Sequence, residues 1–556
     1  MRFTRSIISF LTRHAANIAI LVIIITLAKT DFDRKYWQQR ERVLVWDVKV
    51  YYAYLPAAFI YHDFSLQFVE DKKEDLGDIM YLEKSPKGLF YIQTTYGQAL
   101  LYSPFFFAAH AYALSDDTWE ANGYSPPYKI ALLISSIFYL ALGLYFLKKF
   151  LLKYFNTWVT AIALVLIVLA TNLYFYSTYE AAMTHAYNFS IIAAFIFCTT
   201  RWYEKTTFWN TIIMGFLIGL ITLVRPVNLI VLLFFILFGV HSWQSLKERI
   251  LFLLRSYRWI FIMLIIFFIL WIPQFIYWKY ISGSYLFYSY TDQRFFFNDP
   301  QIYSSLFSYR KGLFVYIPVL IFAFIGIPFL YKKYPGVILP VALVIFLNVY
   351  VLSSWCFWWF GGGFGPRSYI DTYAFLAIPM AALVSWLQRK NIALLILFLA
   401  VGGSLIWFNL FQTRQYSRGT INWAGMTKEA YWEVFLKKYP SKEFYNMLRF
   451  PVRDSAVKGI YYQGDQTWDE IHAAERARKK VNDTITDERE RYIINFGNTV
   501  RLYEEWYQQI KDKAAAKGIS VDSMMRKDAI WLWEKEQLKK QAEKADSITG
   551  DGSNSN

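Results

Sequence analysis

Cysteine is nearly missing from this chain: Cys198 and Cys356 are the only two in 556 residues. Neither a disulfide framework nor a cysteine-based zinc spacing is therefore available. Charge is scarce as well. Charged residues make up 18% of the chain, against 56% hydrophobic and 20% aromatic. That balance excludes an ordinary soluble domain, which carries more charge and fewer aromatics. The N-terminal basic flank and apolar run lack a small-x-small cleavage site, so they read as a retained first span. An inverted repeat of the kind many transporters show is also missing.

What is present is a succession of apolar runs close to the length of a bilayer crossing. They lie near 11–30, 128–147, 157–174, 186–200, 210–224, 228–241, 259–277, 313–330, 336–352, 371–388 and 391–411. The expected fold class is an all-α integral membrane protein with about eleven transmembrane helices. The net charge of +16 is concentrated in that part. Residues 412–556 hold 25 Lys+Arg against 22 Asp+Glu, which leaves 33 against 20 for the remainder. Basic residues cluster in alternate short loops: Arg2 and Arg5, Lys148 to Lys153, Arg201 and Lys205, Lys247 to Arg258, Lys332 and Lys333, Arg389 and Lys390. This alternation orients helices and argues against nucleic acid as a partner. With eleven spans the N-terminus lies inside and the C-terminus outside.

The run Tyr96–Leu114 would reverse every later loop if it crossed, so it is expected as a juxtamembrane or re-entrant helix on the outer side. The expected domains are 1–411, membrane-embedded, with a long outer loop at 31–127; 412–546, a small outer helical domain of amphipathic segments; and a disordered tail at 547–556.

Chemistry-bearing residues gather in the outer loops. In VWDVKVYYAYLP, Asp47 precedes an aromatic amphipathic stretch that includes Tyr52, and Lys49 follows two residues later. A carboxylate beside a membrane can abstract a proton, or it can simply face a helix macrodipole. NLYFYSTYEAAMTHAYNF sets Glu180 and His185 near the outer face. Five residues apart, they are not neighbours on one helix. Glu180 suits a metal, an acceptor or a sugar hydroxyl; His185 suits a hydrogen-bonded interface position equally well. LVRPVN inserts Arg225 at a depth where charge is expensive, unless it snorkels to the interface. YRKGLFVYIP places Arg310 and Lys311 on the outer side, against the charge trend.

SSWCFWWFGGGFGPRSYID ends the ninth run. Its Trp355, Trp358 and Trp359 suit the bilayer interface. GGGFG lacks the strand, helix and lysine of a phosphate loop. It still offers backbone that can come close to a ligand, Gly363 included. Arg367 beside it has a fork that matches phosphate oxygens, and Asp371 is a candidate i,i+4 partner for it.

The order of these blocks resembles the GT-C superfamily of polytopic glycosyltransferases, near the protein O-mannosyltransferase and aminoarabinose transferase group. The likeness rests on Asp47 in the first outer loop, the Pro-containing YSPFFFAAH, Glu180 in the next outer turn, and the blocks around Arg225, Lys311 and Arg367, over residues 1–411. HPP, seen in some relatives after the loop acid, is absent. The resemblance implies a GT-C-like bundle in the bacterial inner membrane with its site facing the periplasm. It implies inverting transfer of a sugar from a polyprenyl-phosphate donor to a lipid, glycan or protein acceptor. Asp47 would be the base, with Glu180 beside it. Arg367, Arg225, Lys49 and Lys311 would bind the donor phosphate, and His185, Tyr52, Trp359 and Gly363 would line the acceptor cavity. No cofactor is assigned, and two carboxylates are too sparse a set to decide for or against a divalent metal. Membrane lipids are expected partners, with an envelope protein a candidate for 412–546. A lipid-linked glycan flippase and a non-catalytic envelope scaffold are the rival functions. The first needs midplane charges and related halves; the second leaves the placed acids and arginines without a role.

Overall fold

Nearly every regular element in the computed structural model is a helix. It describes residues 2–39, 42–72, 80, 82–462, 464–473, 487–502 and 504–550. Among the described residues sheet is confined to two antiparallel ribbons of two residues per strand, pairing Glu83 with Tyr91 and Arg449 with Thr467. The chain is an all-α membrane protein, as its composition requires.

Each expected apolar run falls on a helix, but among the described residues six helices are long and apolar enough to cross a membrane. They are Thr12–Gln38, Pro126–Leu151, Tyr257–Ser282, Pro335–Ser353, Arg367–Lys390 and Ile392–Ser417. That is fewer than the eleven runs expected to cross. Thr157–Leu169 and Pro226–Leu237 are shorter, and at about 1.5 Å per residue they fall well short of a ~30 Å core. The run 313–330 is broken at Pro318 into Leu313–Tyr316, a 3-10 turn and Ile321–Lys333, because proline cannot continue the ladder. Thr184–Glu204 is long but polar. It is enclosed by protein along its length, so Asn188, Ser190 and Thr199 need not face lipid. Gly97–Ser115 is not among the six.

The helices pack closely where glycine allows. A Cβ on Gly326 would overlap the Pro379 carbonyl oxygen of the helix Tyr373–Lys390. Gly326→Ala is expected to destabilise the protein by about 1–3 kcal/mol, the usual cost of overpacking, despite alanine's better helix propensity. A lowered melting temperature in detergent would show it.

The basic helix ends come together. Lys153 pairs with Glu204 at 2.5 Å, Asn156 donates to Gln388 at 2.7 Å, and the Tyr334 hydroxyl donates to the Tyr154 carbonyl. Lys148, Arg201, Lys332 and Arg389 each stand in the last turn of their helix, so these four helices run toward one end, and the candidate site lies at the other.

Two compact units divide the chain: Met1–Ser441 with Arg453–Tyr461, and Lys442–Val452 with the residues from Tyr462 onward. The boundary is therefore not at 411/412. Residues 418–441 belong to the first unit because their backbone is held there. Gln415 donates to the carbonyls of Val434 and Lys437, and Tyr431 packs on Tyr309 and Tyr316. Arg453 rejoins the first unit through a two-pronged pair with Asp292. The second unit contains three helices around Val500, Ile510, Ala514, Met524 and Met525. Its last helix, Val521–Gly550, takes in residues 547–550 of the expected disordered tail; 551–556 lie outside the described residues.

Candidate functional site

Asp47 opens the short helix Asp47–Tyr52, whose preceding Trp46 holds a positive φ of 49°. Its carboxylate pairs with Arg367, 2.8 Å from Nη2. The expected Arg367–Asp371 pair does not form. Arg367–Thr372 is a 3-10 turn, in which i and i+4 point about 120° apart, whereas an α-helix would align them. Asp371 instead meets Arg225 at 3.3 Å and accepts from Asn228 at 2.9 Å and Asn188 at 3.2 Å. Asp371 thus serves Arg225, and Arg367 takes Asp47 in its place.

The glycine run is bolted in place. Gly361, Gly363 and Gly365 have φ of 68°, 154° and 61°, values that side chains rarely adopt. The Tyr176 hydroxyl accepts from the Phe364 N–H at 2.9 Å, and Asn172 donates to the Phe364 carbonyl. A Cβ on Gly363 would lie 2.6 Å from the Tyr176 oxygen. Lys311, buried, donates its ammonium to the Gly363 carbonyl. What comes close to this backbone is protein: Tyr176, Lys311 and the Arg367 stem. The Arg367 Nε in turn donates to the Phe360 carbonyl at 3.0 Å.

Glu180 stands in the turn before Thr184–Glu204, and its carboxylate accepts no hydrogen bond among the described residues. Burial pushes its carboxyl up to about 7, against the lowering charges of Arg367, Lys311 and Arg42 and with the Asp47 carboxylate adding to the rise. Burial draws the Lys311 ammonium down to about 7, helped by Arg367 and Arg310 and opposed by Glu180. Glu180 thus lies in the fields of Asp47, Arg367 and Lys311, and Lys311 in those of Arg367 and Glu180. Among the described residues no three His, Cys, Asp or Glu side chains assemble, and the two carboxylates here stand beside cations.

Other expected site residues lie elsewhere or do other work. Arg225 is held by protein groups: besides Asp371 it donates to Thr184 at 2.9 Å and lies 3.3 Å from His185 Nδ1. His185 is buried, so it supports Arg225 and lines no open cavity. Tyr52 is also removed from the cavity. It is 1% exposed, its hydroxyl donates to the Gly123 carbonyl at 2.5 Å, and its ring meets Tyr102, Phe106 and Tyr124. Lys49, two residues from Asp47, is turned about 200° away on the same helix. Trp359 packs with Trp358 against Ala456. Those two tryptophans are covered by protein, which corrects the interfacial expectation for them.

The residues missed are Tyr51, Tyr290 and Tyr176. Tyr51 shares a helix face with Asp47 at i+4, a signal that was there to use. Tyr51 and Tyr290 both lie in the fields of Asp47, Arg225 and Arg367. Among 43 tyrosines, nothing local marks Tyr290.

No family model matches the chain, and no curated protein matches it. Among solved structures it is similar to the archaeal oligosaccharyltransferase AglB from Archaeoglobus fulgidus, in complex with an inhibitory peptide and a dolichol-phosphate. The TM-score is 0.46 at 12% sequence identity, over 76% of this chain and 57% of that one. The chain thus spans little more than half the length of that protein.

Proposed function

We propose that the chain is an inverting glycosyltransferase that takes its sugar from a polyprenyl-phosphate donor at the membrane face opposite the basic helix ends. By the charge rule that face is the periplasmic one. The observation that carries the reading is the Asp47–Arg367 pair with Glu180 and Lys311 acting on it. The acceptor hydroxyl attacks the anomeric carbon, the new C–O bond forms, and the bond to the phosphate oxygen breaks with its electron pair. Asp47 takes the hydroxyl proton. Arg367, with Lys311 behind it, meets the charge that develops on the leaving phosphate. Because one guanidinium serves both anions, an arriving phosphate competes with Asp47 for Arg367 and loosens the carboxylate for its role as base. Glu180, as its anion, orients the acceptor hydroxyl.

The test is transfer from a labelled polyprenyl-phosphate sugar in proteoliposomes. Asp47→Asn is expected to slow transfer by roughly 10²–10⁴-fold, the range of general-base catalysis. Glu180 works deprotonated and Lys311 works protonated. Activity should therefore rise with pH toward about 7 and fall above it. Glu180→Gln removes the acid limb, and Lys311→Arg removes the alkaline one. Full transfer by Asp47→Asn would refute the proposal, and translocation of the lipid without a glycosidic product would point to a flippase.

A further inference from the structure

Beside Tyr179, the residue before Glu180, lies a cavity of about 150 Å³, lined by Thr30, Asp33, Arg34, Tyr174, Tyr179 and Arg414 with Leu410. That is room for about five waters at their liquid volume. The helices Arg2–Arg34 and Ile392–Ser417 both end near it, and both contain candidate membrane spans. The cavity thus sits where bilayer headgroups lie.

Arg34 is held flat: its guanidinium carbon is 3.2 Å from the centroid of the Tyr179 ring. Its Nη1 is sealed from solvent and has no hydrogen-bond partner among the described residues. Arg414 is exposed and close enough for its charge to act on Tyr174, as that of Arg34 does. The Thr30 hydroxyl donates to the Thr26 carbonyl, so in the Thr30–Tyr174 contact at 3.0 Å the tyrosine is the donor. This leaves the arginines as the cavity's main donors. Asp33 is balanced by Lys29 at 3.0 Å. Asp31, buried one turn back, acts on Arg34. Lys29, Arg34 and Arg414 against Asp31 and Asp33 still leave a net positive charge. Both arginines also complement the negative ends of their helices. That explains where they stand in the sequence but not the tyrosine-walled cavity between them.

We infer that this cavity binds a phosphate group, supplied by the headgroup of a membrane lipid. Arginine forks match phosphate oxygens, and a ring-stacked guanidinium is already oriented to do so. The inference does not depend on the transferase reading, because Arg34 and Arg414 take no part in that chemistry.

The test is binding of fluorescent short-chain phosphatidic acid to the full chain in detergent, with phosphatidylcholine and inorganic phosphate as competitors. The wild type should prefer phosphatidic acid to phosphatidylcholine. The R34Q/R414Q variant should bind at least about tenfold more weakly, and R414Q alone, at an exposed position, should show part of that loss with an unchanged melting temperature. Inorganic phosphate that competes as well as the lipid would support the pocket with a soluble ligand. Equal binding by wild type and R34Q/R414Q, or no preference over phosphatidylcholine, would overturn it.

Discussion

Arg367→Gln is expected to reduce sugar transfer by about 10²–10³-fold, the usual cost of removing one preorganised donor from a developing oxyanion. The effect should fall mainly on kcat, because the phosphate carries most charge as it leaves. Arg367→Lys should not restore it. The native side chain holds the Phe360 carbonyl through Nε and Asp47 through Nη2 at the same time. An ammonium on a flexible stem cannot make both contacts in one plane. Losing Arg367 also releases Phe360, which sits at a φ of 54°, so part of the loss belongs to the loop. Single-turnover transfer with a short-chain donor, measured beside a melting curve, separates the two. A stably folded Arg367→Gln with transfer within about threefold of wild type would remove Arg367 from the reaction.

Asp371→Ala is expected to cost about 3–5 kcal/mol of stability, the penalty for stripping one partner from a buried ion pair. Asp371 is 4% exposed. It is the acceptor for Arg225, Asn228 and Asn188, which come from two helices and the turn after a third. Without it a guanidinium and two amides face each other with no anion among them. Asp371→Asn keeps one acceptor oxygen and should lose less. Arg225→Met with Asp371→Leu should recover much of the loss, since two apolar side chains need no partner there. Melting temperature in detergent reads all three. If Asp371→Ala melts with the wild type, the network is not what holds these helix ends together.

Helix content and the candidate residues Asp47, Glu180, Lys311 and Arg367 were legible in the order of the chain. Apolar runs that long must bury their backbone groups as helices, and charged residues among aromatics stand out where each one is costly. The length of each helix was not legible. A run such as 228–241 reads like a span, and only packing shows that Pro226 and the following 3-10 turn leave it short. The roles of Tyr52 and Tyr51 were interchangeable in the sequence, because both flank the same carboxylate. Helix rotation then sent Tyr52 into the core and Tyr51 toward the charges.

By itself the sequence determined a helical membrane protein with acids and arginines gathered in its loops, because composition and hydropathic period are local properties. Which acid meets which arginine was decided only in three dimensions. The 3-10 turn at Arg367–Thr372 rotated Asp371 out of reach, and Asp47, 320 positions before Arg367 by residue number, took its place. The glycine run likewise turned out to be a bolted strap. Its positive φ values were implied by its residues, but its attachment to Tyr176 and Lys311 came from segments that share no local pattern with it.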